Sequence, residues 1–280
     1  MKKTNDGFRI VIACTLLMSV MLLNSCSKNM QDKSAGQDNA ISDATGAVQP
    51  VAIWNFDSSW NEAKQHLTGV PHQKAKFSKT SQAHLGKAAF LSPDSGYVSY
   101  DNAGTALPNL TTGLTVDFWV FPQKASIEAH TIFCIPQTGA FWPTQHVITD
   151  AWSAPWGDTG LVKVMFKANK AIDYNERWKE ARIPHFFGKW NHIQYSYDGA
   201  TSEYTIKING VTYVDHEVQY TDGTNTTLLG NLNPNPGSHG VVIGAFQNEW
   251  DPGLFGAAQP WMHWFAGRID QLKIYNTALF

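Results

Sequence analysis

The chain has 280 residues, of which 43% are hydrophobic, and a formal charge of −2. That length suits one large all-β domain or two small ones, and the apolar share is enough for a sizeable core. No long basic run occurs, which argues against nucleic acid as a partner.

At the N-terminus, Lys2, Lys3 and Arg9 precede the apolar stretch Ile10 to Leu23, which is short for a membrane span. Leu23-Asn24-Ser25-Cys26 follows. It resembles the lipobox of bacterial lipoproteins, in which the cysteine is acylated and becomes the new N-terminus. The expectation is a signal peptide over residues 1–25 and a lipidated Cys26, placing the chain at a bacterial outer membrane or cell surface. An ordinary secretory signal cleaved near Ser25 is the alternative. Ser27 to Gln49 has no aromatic residue and is rich in small and polar ones, so residues 26–50 read as the lipidated cysteine and a flexible tether. Cys14 would leave with the signal, so Cys134 would remain alone with Cys26. Inside the apolar run Thr131 to Ile135 it reads as a small core hydrophobe.

From residue 51 the pattern changes to short strand-like runs between turn residues. They are Val51–Phe56, Lys87–Leu91, Leu114–Phe121, Leu161–Lys167, Trp190–Tyr197, Glu203–Asn209, Gly240–Phe246 and Phe265–Tyr275. A helical turn is expected near Asn175–Arg182. Asn209-Gly210 is a type I′ hairpin signal and Asp198-Gly199 a second turn. Alternation puts Leu114, Val116, Phe118 and Val120 on one face of their strand. The same rule puts Asp270 on the side of Leu272 and Ile274, facing a core, unless a bulge intervenes. With no strand–helix alternation, residues 51–280 read as a two-sheet antiparallel β-sandwich.

Four segments carry a family resemblance. They are Ile53-Trp54-Asn55-Phe56-Asp57, Gly113 to Val120 with Asp117 and Trp119, Gly188 to Ile193 followed by Tyr197-Asp198-Gly199 and Asn209-Gly210, and Phe265 to Asn276 with Ala278-Leu279. In order and spacing they resemble the laminin-G-like, concanavalin A-like jelly-roll domains of bacterial extracellular proteins. The resemblance implies an all-β jelly roll. It also implies a structural calcium ion, for which Asp57 and Asp270 are the candidate ligands; the alternative is that each carboxylate accepts backbone N–H bonds at a turn.

The domain is longer than a minimal member of that family, and the excess lies in Thr138–Gly160 and Gln247–His263. Both mix Trp with Gly, Pro and Asp. Sugar rings present C–H faces that pack on exposed aromatic rings. The candidate ligand-binding residues are therefore Trp142, Trp152, Trp156, Trp250, Asp251 and Trp261, and the competing reading has these rings packing the loops onto the sheet. Hydrolases on this scaffold need two carboxylates, often as Glu-x-Asp-x-Glu or Glu-x-Asp-x-x-Glu. Glu249-Trp250-Asp251 supplies the first half only, and Pro252 follows. No catalytic residue is assigned, and the histidines show no His-x-His or His-Glu-x-x-His spacing. The expected function is a membrane-anchored, non-catalytic carbohydrate-binding module that captures extracellular glycan. A glycoside hydrolase or lyase, and an adhesion module binding a surface protein, are the alternatives.

Overall fold

Strand-forming runs of alternating apolar and polar residues fill the chain beyond residue 50. A computed structural model describes residues 48–280 apart from 92–94, 102–106, 108–109, 111, 125–128, 151–156, 168–175, 222–225 and 233–238. Cys26, Trp152 and Trp156 lie outside the described residues. In chain order the strands are β1 (Ala52–Trp54), β2 (Val70–His72), β3 (Lys76–Phe77), β4 (Ala89–Leu91), β5 (Tyr97–Asp101), β6 (Gly113–Pro122), β7 (Ala129–Ile135) and β8 (Gln145–Asp150). There follow β9 (Gly160–Lys167), β10 (Glu176–Ile183), β11 (Asn191–Asp198), β12 (Glu203–Ile208), β13 (Val211–Val218), β14 (His239–Ile243), β15 (Met262–Trp264) and β16 (Gly267–Tyr275). The first sheet runs β13-β12-β11-β6-β16-β4-β3 with β1 beside β16, and the second runs β10-β9-β8-β7-β14-β5-β2 with β15 beside β7. Pairing is antiparallel throughout except between β15 and β7.

The two sheets face each other across an apolar core. Leu114, Val116, Phe118 and Val120 of β6 are fully buried in it, as the alternation requires, together with Ile193, Tyr195 and Tyr197 of β11. Phe166 of β9 bridges the sheets. Its ring centroid lies 4.9 Å from that of Tyr197, 5.0 Å from Tyr204 and 6.0 Å from Tyr195. The Tyr204 hydroxyl donates to the Val164 carbonyl at 3.2 Å, so a polar bond spans the same gap. Asn209 and Gly210 have φ of 52° and 77°, the two positive values that a type I′ turn needs between β12 and β13.

The structure corrects the sequence reading at three places. The segment expected as a helical turn, Asn175–Arg182, falls largely in β10, which pairs with β9 from Glu176 to Ile183. The Thr138–Gly160 excess contains β8. Asp270 does not face the core: the register slips between Asp270 and Lys273, and Gln271 adopts φ of 52°. This bulge turns Asp270 to the face of its partner Trp119, while Leu272 and Ile274 return to the core.

Removing the bridging ring leaves a cavity between the sheets. Phe166→Ala is expected to lower the unfolding free energy by about 3–5 kcal/mol in urea titrations; a change within the scatter of surface substitutions would show that the rings do not couple the sheets.

Candidate functional site

A sandwich core buries only the inner face of each sheet, so apolar residues on the outer faces must be covered or exposed. On the outer face of the second sheet, one segment does the covering. Beyond β14 the chain makes two single-turn helices, Gln247–Trp250 and Pro252–Phe255. Asp251 Oδ1 accepts the Leu254 N–H at 3.0 Å and Pro252 occupies the first helical position, which starts the second turn. Glu249 Oε2 accepts the Phe246 N–H at 2.9 Å. Gln247 is buried and ties the segment to the β7–β8 connection: its Nε2 donates to the Ala140 carbonyl at 2.6 Å, and its Oε1 accepts from the Gln137 N–H at 2.9 Å.

The candidate tryptophans lie in this layer. Trp142 stacks on Trp261 at 5.7 Å, Phe141 meets Trp142 edge-on at 5.1 Å, and Phe246 meets Trp261 at 5.7 Å. Trp250 sits 5.9 Å from Phe255 and packs with Trp264 against Tyr97, Cys134, Val242 and Ala245. All three candidates are half-buried. The structure brings Trp142 and Trp261 together, places Trp250 in a neighbouring cluster, and gives Asp251 a capping role. Cys134 is fully buried there, and burial holds its thiol well above the ordinary range.

The first sheet's outer face carries a second aromatic group. Trp119 is sandwiched between His84, at 3.7 Å, and His192, at 4.5 Å. His192 Nε2 lies 2.7 Å from Asp117 Oδ1, and Gln194 Nε2 donates to Asp117 Oδ2 at 2.8 Å. Arg268 places its guanidinium 3.9 Å above Phe121. Both faces of Trp119 are thus occupied by the protein's own rings. Beside this group the 84–87 turn is held by the two candidate calcium ligands. Asp270 Oδ2 accepts the Leu85 N–H at 2.9 Å and its Oδ1 the Gln271 N–H at 2.8 Å, while Asp57 Oδ1 accepts the Lys87 N–H at 3.1 Å. Among the described residues no group of three His, Cys, Asp or Glu side chains is gathered as a metal site. An ion there would have two carboxylates and would draw its other oxygens from the backbone and water.

One ring is open. Trp178, on the outer face of β10, is 54% exposed, and no described residue stacks on it. Sequence reasoning missed it because Glu176, Arg177, Lys179, Glu180 and Arg182 mask the strand. The legible signal was the inward pair Ala181 and Ile183, both buried.

No family model and no curated protein matches the chain. Solved structures do. One comes from work on the dependence of botulinum neurotoxin type C cell entry on two ganglioside molecules, with TM-score 0.55 and 10% identity over 82% of this chain and 48% of that one. Two others are the binding domain of Paraclostridial Mosquitocidal Protein 1, with TM-score 0.52 and 12% identity over 83% and 50%, and the binding domain of botulinum neurotoxin DC in complex with rat synaptotagmin II, with TM-score 0.51 and 10% identity over 82% and 48%. The domain is a jelly-roll β-sandwich. The chain spans about half the length of these structures, and at such identity the likeness establishes the fold of the jelly roll alone.

Burial pushes the Asp270 carboxyl up to about 7, with Asp57 adding to the push and the Leu85 and Gln271 N–H groups opposing it. An acid whose pKa rises on folding stabilises the fold while protonated, and that stability is lost as pH climbs from the unfolded value near 4 through about 7. Buried His146, pushed down to about 3, acts in the opposite sense, so the comparison must be between variants. Asp270→Asn is expected to gain on the wild type steadily between pH 4 and 8 in urea midpoint measurements; a gap that stays constant across that range would contradict the assignment.

Proposed function

We propose that the jelly roll is a non-catalytic carbohydrate-binding module, held at a bacterial membrane by a lipid on Cys26 and capturing extracellular glycan. The observation that carries this reading is the layer over the second sheet. Rings of Trp142, Trp261 and Trp250 reach the surface there, held rigidly by Gln247 and Asp251, and half-buried aromatic rings on a fixed layer suit the apolar face of a sugar. The carboxylates in the layer are engaged: Glu249 holds the Phe246 N–H and Asp251 the Leu254 N–H. The neurotoxin type C structure bears on two ganglioside molecules, and the DC binding domain is solved with a protein receptor. Those are partners of those proteins, which this chain matches over about half their length, and they stand beside the reading as analogy for a glycan or a protein partner. The glycan is favoured because Trp142 and Trp261, stacked on each other with part of each ring at the surface, offer aromatic faces of the kind that the C–H side of a sugar packs on.

Calcium belongs to the same proposal. Asp57 and Asp270 would supply two carboxylates, and the ion would add the positive charge that a buried acid beside another acid lacks. Repeating the Asp270→Asn comparison at pH 8 with calcium and with EDTA tests it: a melting temperature indifferent to EDTA removes the ion. Lipidation is tested by the mass of the mature N-terminus, where an acylated Cys26 is expected and an unmodified terminus elsewhere would overturn the anchor.

The functional test is affinity electrophoresis of the mature protein, in mild detergent, through gels containing soluble β-glucan, xylan, mannan, pectin or chondroitin sulfate. Retention is expected in at least one, with a dissociation constant between micromolar and millimolar, on the order of −4 to −8 kcal/mol. Trp142→Ala and Trp250→Ala are expected to weaken that retention while unfolding remains cooperative. A shortened polysaccharide after incubation would establish a hydrolase or lyase in place of a binder.

A further inference from the structure

Eight of the nine tryptophans among the described residues are buried or half-buried, and the ninth, Trp178, is 54% exposed. Its exposure follows from its place in the fold. The layer that covers the outer face of the second sheet lies over β7, β8 and β14, and β10 is the edge strand two places beyond β8. Ala181 and Ile183 of β10 point into the core, so by alternation Trp178 points out. Its register partner on β9 is Met165, which is buried, and Lys163 and Lys167 stand on either side of Met165 on the same face. Beyond Trp178 on β10 come Glu180 and Arg182, joined at 3.2 Å.

This is a single flat ring on a two-strand ribbon, surrounded by long side chains that donate and accept hydrogen bonds. A protein interface core would need a contiguous apolar patch, and among the described residues the neighbours of Trp178 on this face other than buried Met165 are charged: Lys163, Lys167, Glu180 and Arg182. A pyranose fits better: one face is C–H and packs on the ring, and its hydroxyl edge meets ammonium, guanidinium and carboxylate groups.

The ring also continues the layer already described. Trp178 pairs across to Met165, Met165 to His146, and His146 to Cys134. Phe246 lies 4.4 Å from His146 and 5.7 Å from Trp261, which stacks on Trp142. β10 stands about 10 Å from β8, two strand spacings. We propose that Trp178 is a stacking platform for a pyranose unit, and that it forms with the Trp142–Trp261 pair one binding track running across the strands of the second sheet. The ligand class is an extended polysaccharide chain, bound through successive units and not by its end.

This inference rests on the carbohydrate-binding reading above, and the experiment separates the two. Mature wild type, Trp178→Ala and Trp178→Phe are run through the same polysaccharide gels, with melting temperatures measured alongside. In whichever gel retains the wild type, Trp178→Ala is expected to bind at least tenfold more weakly, Trp178→Phe to fall between them, and all three to melt alike because the ring is exposed. A second comparison uses short oligosaccharides of the same polymer as competitors: they are expected to compete many-fold less well per mole than the polymer. If the wild type is retained and Trp178→Ala is retained equally, the platform is refuted while the binding module stands. If the alanine variant melts lower, retention of Trp178→Phe decides, and wild-type retention by that variant at matched stability also refutes the stacking role. If no gel retains the wild type, the carbohydrate-binding reading itself fails and the platform falls with it.

Discussion

A two-sheet sandwich has one core but four sheet faces, and the structure of this domain follows from how its two outer faces are managed. The inner faces meet around Phe166, whose ring touches three tyrosines of the opposite sheet. The outer faces carry apolar and aromatic residues as well, and these would be exposed without further chain. The 244–264 segment seals the second sheet over β7, β8 and β14. On the first sheet the 84–87 turn lies against Trp119, and the C-terminal residues sit on Thr115 and Ser196, where the Leu279 N–H reaches their hydroxyls at 3.1 and 3.2 Å. Some of the buried polar groups under these covers are held by specific bonds, as with Gln247 Nε2 to the Ala140 carbonyl and Asp270 Oδ2 to the Leu85 N–H, whereas His146 Nδ1 and Asn248 Oδ1 are buried without a partner.

That arrangement gives the tryptophans two kinds of role. Trp142, Trp250 and Trp261 hold a covering layer in place and offer solvent only part of a ring. Trp178 holds nothing in place among the described residues and offers most of its own. The polar features divide in the same way. Asp57, Asp117, Asp251 and Asp270 accept hydrogen bonds that fix turns or side chains, and Glu180, itself joined to Arg182, lies on the same face as Trp178. The binding reading of the jelly roll thus rests on surface rings and rigid support, with the fold providing a frame that solved structures share and function left to the site.

Much of the fold was legible because aliphatic and core-facing residues alternate with polar or aromatic ones along its longer strands, as in Leu114, Val116, Phe118 and Val120 against Thr115, Asp117, Trp119 and Phe121. β6, β9, β11, β12 and β16 lie where alternation put them, and Asn209-Gly210 marked its hairpin. Three kinds of error have physical causes. β7, with both faces covered, has no alternation to read: all seven of its residues are buried. β10 is an edge strand whose outer face is largely charged, and its charges resembled a helical surface. Asp270 was turned by a one-residue bulge that the sequence does not announce, since Gln271 is an ordinary residue at a positive φ. The candidate site suffered from a related limit: sequence shows which loops are rich in tryptophan, but whether a ring covers the sheet or faces solvent depends on tertiary packing.

The central claim is that the loop tryptophans are covers and Trp178 is open, and hydroxyl-radical footprinting of the free protein reads it directly, ring by ring, by mass spectrometry. Trp178 is expected to oxidise faster than Trp142, Trp250 and Trp261, with Trp54, which is fully buried, the slowest of these five. If Trp142 or Trp261 oxidised as fast as Trp178, the layer over the second sheet would not be a cover, and the division of roles drawn from it would be wrong.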